Sequence, residues 1–357
     1  MTKTKRIFYF DLLRAIAIIG IIFCHTSANF IAKDLNGFNF YISAFFDCFR
    51  DFSIPVFVML SGALLIGKKD SLRTFFKKRL SRLFVPFVFW DILYTIYSFI
   101  YYKNGFSLEN IINIFLGKSG SFGVIFWFIW MIVMVYVMIF IINRVIIYGN
   151  GKIDGFGDRF INILTALSLI YIVLYQLGLF EDIPYQLLVY YISFSSYAII
   201  GYFITHNSYL KSLISQKILI AITGLTFAFT YLYYIYAIVV PTSLSNNHFL
   251  YLSYFNVLIL IMSVSFFLMF KYLSDTNIMM KFENKFGDLT RLVSNYSFGI
   301  YLSHYLILKI IFNNLNITCE NLIILIPLLV VLTLAISIIV LEILDKIHYI
   351  NKVSGKG

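Results

Sequence analysis

Residues 7–30 read IFYFDLLRAIAIIGIIFCHTSANF. The stretch meets the ~20 apolar residues that a helix needs to cross hydrocarbon. Yet Asp11, Arg14 and His25 stand inside it. Ionisable groups at membrane depth are costly and mark function by default. At about 100° per residue, the step from Arg14 to His25 closes to within ~20° of three full turns. Both side chains therefore share one helix face, about 16 Å apart along the axis. Asp11 precedes Arg14 by three residues and is close enough to pair with it. One stripe of this helix is expected to carry an ion pair near its start and an imidazole near its end. The stretch has no small-residue cleavage site, so it is expected to be a retained signal anchor.

The rest of the chain extends this pattern. Its 357 residues are 61% hydrophobic, 19% aromatic and 13% charged, with a mean hydropathy of +0.87. Soluble domains are about 45–50% apolar and about 25% charged. A water-soluble fold of this length could not hide so much apolar surface, and disorder needs low hydrophobicity. The expectation is an all-α polytopic membrane bundle forming one domain over 1–357. About ten transmembrane helices are expected, near 7–30, 42–66, 84–102, 122–143, 160–179, 185–205, 218–240, 249–270, 293–312 and 321–343. Turn chemistry separates them at Gly67–Asp70, Gly149–Gly151, Glu181–Pro184 and Pro241–Ser243. The longest connection, Lys271–Arg291, is expected to be a loop of about 20 residues, too short for a domain.

Charge placement orients the spans. The formal net charge is +11. With both termini cytoplasmic, 22 of the 28 Lys and Arg fall inside. Lys33, Lys103, Lys118 and Lys309 fall outside, and Arg14 and Arg50 lie within spans. This asymmetry is the positive-inside signature, so no nucleic acid is needed to explain the charge. Cys24, Cys48 and Cys319 are far apart and suggest neither a disulfide framework nor a metal site.

A few polar residues remain as candidates. Asp47, Arg50 and Asp51 open the second span, as a rim ion pair or as substrate contacts. Asp91 and His304 are lone polar groups in later spans, a pattern that more often joins helices than performs chemistry. Trp127 and Trp130 fit an interfacial aromatic belt or packing. Lys68–Arg82 holds seven basic residues and one acid. It marks the cytoplasmic face and suits anionic lipid. It also offers Arg79 and Arg82, one turn apart, as a phosphate grip.

These motifs together resemble the acyltransferase-3 family of integral-membrane acyltransferases, over nearly the full length. The family hallmark is an Arg and a His separated by ten residues in the first helix, here Arg14 and His25. FRDFSIPVFVMLSGALL (49–65) is similar to a second family segment through Arg50, Pro55, Phe57, Ser61 and Gly62. KKRLSRLFVPFVFW (77–90) carries its Arg-x-x-Arg at Arg79 and Arg82, then Pro86 and Trp90. FWFIWMIVMVY (126–136), IIGYFI (199–204) and SFGIYLSH (297–304) match later segments. Many members have His just before the Trp of the fourth segment, where Ile125 and Phe126 stand here. Tyr305 stands where Pro often follows His304. Some members fuse an esterase-like domain after the membrane part. None appears before Gly357, so the membrane part or a partner is expected to complete delivery.

The resemblance implies transfer of an acyl group, usually acetyl, from acyl-CoA to a sugar hydroxyl of a surface polysaccharide or lipid-linked glycan. Arg14, Arg79 and Arg82 would bind the acyl-CoA. His25, with Arg14, would be catalytic, as general base or acyl relay. Asp11, Arg50, Trp127 and His304 are the candidate substrate contacts. No resident cofactor and no metal is expected. The expected partners are acyl-CoA, the glycan acceptor and membrane lipid, in a prokaryotic plasma membrane. An acyl-cysteine at Cys24 is disfavoured, because adjacent helix residues point about 100° apart. A transporter or flippase for a lipid-linked sugar is the alternative, although no paired Gly/Pro-broken spans suggest inverted repeats.

Overall fold

The structure is a computed structural model that describes residues 6–31, 38–102, 107–118, 123–180, 186–206, 214–245, 254–315, 317, 321–348 and 351–356. Within helices, the side chains of Tyr102 and residues 238–245 lie outside the description, as do Lys33, Lys103 and Cys319. Helix is the only regular structure among the described residues. The helices are α1 Phe8–Ile31, α2 Phe38–Asp47, α3 Phe49–Leu65, α4 Leu72–Tyr102, α5 Leu108–Phe115, α6 Trp127–Asn150 and α7 Phe156–Gln176. They continue with α8 Gln186–Ser193, α9 Ser195–His206, α10 Gln216–Ser245, α11 Val257–Leu273, α12 Asn277–Asn314 and α13 Leu322–Lys346.

Eight helical stretches among the described residues are long and apolar enough to cross a bilayer, with α2–α3 and α8–α9 each counting as one. The expected eighth and ninth spans fall on α11 and α12. These are bent 92° apart and together count as a ninth span at most by length and composition. The outward faces are apolar: Val85, Val88, Ile92, Ile96 and Phe99 form an exposed stripe on α4. Such a surface would be untenable in water. The protein is a multi-pass membrane protein.

Lys271–Arg291 is mostly helix, not the expected loop. Its charges mask an amphipathic pattern. The Thr276 hydroxyl caps α12 by accepting from the Met279 amide (3.3 Å). Met279 is buried against Phe8 and Leu12 of α1, and Arg291 pairs with Glu283. The charged first arm of α12 thus lies against the start of α1.

Beyond that arm, α12 runs parallel to α1. Asp11 meets Ser294, His25 meets His304, Asn29 meets Lys309 and Phe30 meets Phe312. The membrane-spanning part of α12 therefore starts from the same face as α1. At that face, which carries most of the basic residues, Asn143 of α6 donates to the Leu65 carbonyl (2.9 Å). It also accepts from the Gly67 amide (2.7 Å).

Close approaches fix α3 at the centre. A Cβ at Gly62 would overlap the Ala198 backbone of α9, and one at Gly201 would overlap Met59. In lipid, apolar side chains gain little by meeting one another, so helix packing relies on small residues that let backbones touch. Pro55 lies inside α3 and frees the carbonyl four residues earlier, that of Asp51, whose side chain pairs with Arg50.

Candidate active site

The expected i,i+3 pair of Asp11 and Arg14 is present at 3.9 Å, but a closer partner of Asp11 stands beside it. Arg6, just before the helix, grips its carboxylate through Nε (2.5 Å) and Nη2 (2.8 Å). The Ser294 hydroxyl donates to the same carboxylate at 2.7 Å. Arg14 stands 3.9 Å from Asp11, with Nη1 donating weakly to Ser294 (3.3 Å). Asp11 is buried among these partners and acts as an anchor between α1 and α12. Arg14 is left facing a cavity.

That cavity has a volume of about 550 Å³, within the ~300–1,000 Å³ of small-molecule and cofactor sites. Its mouth is at the basic face. Six cationic side chains line it (Arg14, Lys68, Lys78, Arg79, Arg82 and Lys356) against one carboxylate, Asp70. Its depth is apolar and aromatic, with Ile21, Ile54, Phe57, Phe128, Tyr136 and Tyr301. Such a site suits a ligand with an anionic head and a slender, mostly apolar arm.

The two arginines of the basic segment differ. Arg79 Nη1 donates to Asp70 (3.0 Å) and to the Phe75 carbonyl (3.0 Å), and its guanidinium covers the Phe75 ring at 4.0 Å. Arg82 is exposed and makes no hydrogen bond or ion pair among the described residues. Arg79 is therefore built into the wall, and Arg82 is open to a ligand. Burial, then the charge of Arg79, presses the Lys68 ammonium below its ordinary value of 10.5. That is the mark of a crowded cationic site.

His25 lies one turn beyond Ile21, about 6 Å further along α1. The stripe predicted from the sequence holds, since Arg14 and His25 both face α12. The His25 ring packs against His304 and Tyr305, each with ring centroids 5.3 Å away. His304 is three residues past the cavity-lining Tyr301, with rings 6.0 Å apart. The Tyr301 hydroxyl donates to the Ile125 carbonyl. The cavity thus ends a turn short of the two neighbouring imidazoles. Cavity and imidazoles are joined by Tyr301, which the sequence did not single out.

Arg50 is mostly covered rather than at an open rim, its side chain 12% exposed. Its Nη2 donates to Asp51 (3.0 Å), and its Nη1 lies 3.8 Å from Cys24 Sγ, the neighbour of His25. Tyr234 donates to the other Asp51 oxygen (2.9 Å). Trp127 packs with Tyr191, Phe194 and Tyr254, at ring centroids of 6.4, 6.1 and 6.0 Å. Trp130 donates to the Phe115 carbonyl (3.2 Å) and is packing. Asp91 is buried, does not line the cavity, and its Oδ1 has no hydrogen-bond partner among the described residues. Cys24 and Cys48 are buried free thiols. Among the described residues no three His, Cys, Asp or Glu side chains gather as a metal ion would need.

Fold and site define a membrane-embedded enzyme with a cationic cavity opening at one face and imidazoles beyond its tip. A family model described as an acyltransferase domain matches residues 7–342, and the chain belongs to this acyltransferase-3 family. It is a membrane acyltransferase. No curated protein and no solved structure matches it significantly.

Proposed function

We propose that this acyltransferase moves an acetyl group from acetyl-CoA to a hydroxyl of a surface polysaccharide or lipid-linked glycan. It would do so in a prokaryotic plasma membrane, with its basic face toward the cytoplasm. The observation that carries this reading is the cavity itself, whose cationic mouth leads to an apolar interior ending one turn short of His25. The CoA phosphates sit among Arg82, Arg79 and Lys68, and guanidinium is the group best suited to bind them. The pantetheine arm follows Arg14 inward and presents the thioester near Tyr301. The donor is a substrate, held by no resident cofactor.

His25 accepts the proton of the acceptor hydroxyl as the new C–O bond forms. The C–S bond breaks, and the proton passes to the CoA thiolate. A sugar hydroxyl is too weak a nucleophile at neutral pH without such a base, and imidazole is neutral and basic there. Arg14 stands about 16 Å from His25 along the helix, too far to touch a thioester at the imidazole. Its role narrows to holding the donor arm. The cation on a neighbouring helix beside Cys24 is Arg50, and in this reading it stabilises the oxyanion. The aromatic group at Trp127 offers flat surfaces for a sugar ring.

The test uses purified protein in detergent with radiolabelled acetyl-CoA and the glycan fraction of host membranes. Label is expected in alkali-labile ester on the glycan, with free CoA released. A flippase would move neither label nor CoA, and that outcome would sink the proposal.

Lys68 gives a second check. Its lowered value means that it loses charge before an ordinary lysine as pH rises. The KM for acetyl-CoA is therefore expected to climb in the alkaline range below pH 10.5. Lys68→Arg, which stays charged, should hold KM flat over the same range. Identical profiles would remove Lys68 from the donor site.

A further inference from the structure

His304 is fully buried, yet half of its polar capacity is unused. Its Nδ1 lies 3.0 Å from the Ile300 carbonyl. A carbonyl only accepts, so Nδ1 carries the proton and Nε2 the lone pair. Nε2 is buried with no hydrogen-bond partner among the described residues. A histidine kept as glue between helices would use both nitrogens, since a buried unsatisfied acceptor costs stability. The neighbour that its ring faces is His25. Tyr305 closes the other side of His25, and Arg50 stands beside Cys24 on the preceding position.

We propose that His304 is a positioning residue for His25. It is a neutral imidazole, locked in one tautomer by the Ile300 carbonyl, whose Nε2 accepts the N–H of His25 once substrates close the site. This rests on the reading of His25 as the base. The hydrogen bond leaves the other nitrogen of His25 unprotonated and aimed at the acceptor hydroxyl. When that hydroxyl's proton moves to His25, the lone pair of His304 stabilises the imidazolium. The proton then leaves for the CoA thiolate, and His304 keeps its own proton throughout. The gap is no obstacle, because catalytic hydrogen bonds are often long before substrate binds and tighten in the complex.

A supporting partner that sets tautomer and orientation is commonly worth about 10- to 100-fold in activity. His304→Phe keeps the ring and removes the acceptor. It is expected to insert normally and to melt at or above the wild-type temperature, because an unpaired buried nitrogen is gone. With radiolabelled acetyl-CoA and host membrane glycan, its kcat should fall about 10- to 100-fold with KM for acetyl-CoA unchanged. His304→Gln restores an acceptor and should recover part of kcat. A wild-type kcat in His304→Phe, beside an inactive His25→Ala, would overturn the assignment alone. So would a loss of activity matched by a lower melting temperature and unrelieved by Gln. A wild-type protein that transfers no acyl group would overturn the assignment and the reading beneath it.

Discussion

His25→Ala is expected to lower kcat for glycan acylation by about 10²–10⁴-fold, the usual contribution of a positioned general base. Acetyl-CoA binding should stay near the wild-type level. The cationic groups proposed to hold the donor all lie at the cavity mouth or at Arg14, and His25 is a turn past the lining residue Ile21. Truncation forfeits the packing of the ring against His304 and Tyr305 but no hydrogen bond from the ring among the described residues; the His25 carbonyl, which accepts from Asn29 (2.7 Å), is backbone. The loss should therefore appear in kcat and not in KM, with the protein still inserted and its melting temperature lowered by the lost packing. Quantifying membrane-inserted protein and ester-linked acetyl on the glycan checks both halves. Acetylation at the wild-type level would remove His25 from the chemistry. A loss of kcat accompanied by an equal loss of donor binding would instead place His25 inside the donor site.

The positions that set this expectation were unequally legible. Arg14 and His25 share a face because helical periodicity alone dictates it, and that result survives any choice of neighbouring helix. The basic mouth was legible because Lys and Arg collect on one side of the membrane for topological reasons. The Asp11–Arg14 pair was legible from its i,i+3 spacing, but the closer partners of Asp11 were not, since Arg6 stands before the apolar stretch and Ser294 is 283 positions away in the chain. The meeting of His25 with His304 is likewise a matter of which helices pack together, and hydropathy does not encode that. Tyr301 and Tyr136 were hidden for another reason. In a chain with 27 tyrosines and 39 phenylalanines, no aromatic residue stands out until a cavity selects it. The charges in the first arm of α12 obscure the buried stripe that begins at Met279, so the sequence there has the look of a loop.

Arg82→Ala is expected to weaken acetyl-CoA binding by roughly 10- to 100-fold, the equivalent of about 1.5–3 kcal/mol for a hydrogen bond to a charged group. Its stability should not change, because Arg82 is exposed and makes no ion pair or hydrogen bond among the described residues. Arg79→Ala should behave differently, although the sequence presents the two as equals. Removing Arg79 strips Asp70 of its 3.0 Å partner, leaving it Lys78 at 3.9 Å among the described residues, and uncovers Phe75. Its loss of donor affinity should come with a lower melting temperature. Arg82→Lys keeps the charge but not the planar fork that meets two phosphate oxygens at once. Its affinity is expected between those of Ala and wild type. Binding of radiolabelled acetyl-CoA to the purified protein, repeated at rising salt, separates these cases. Exposed charge contacts are screened over about 10 Å at 0.1 M salt. The wild-type advantage over Arg82→Ala should therefore shrink as salt is added. If Arg82→Ala binds the donor as wild type does at every salt concentration, the basic segment serves topology and lipid alone, and the donor must enter elsewhere.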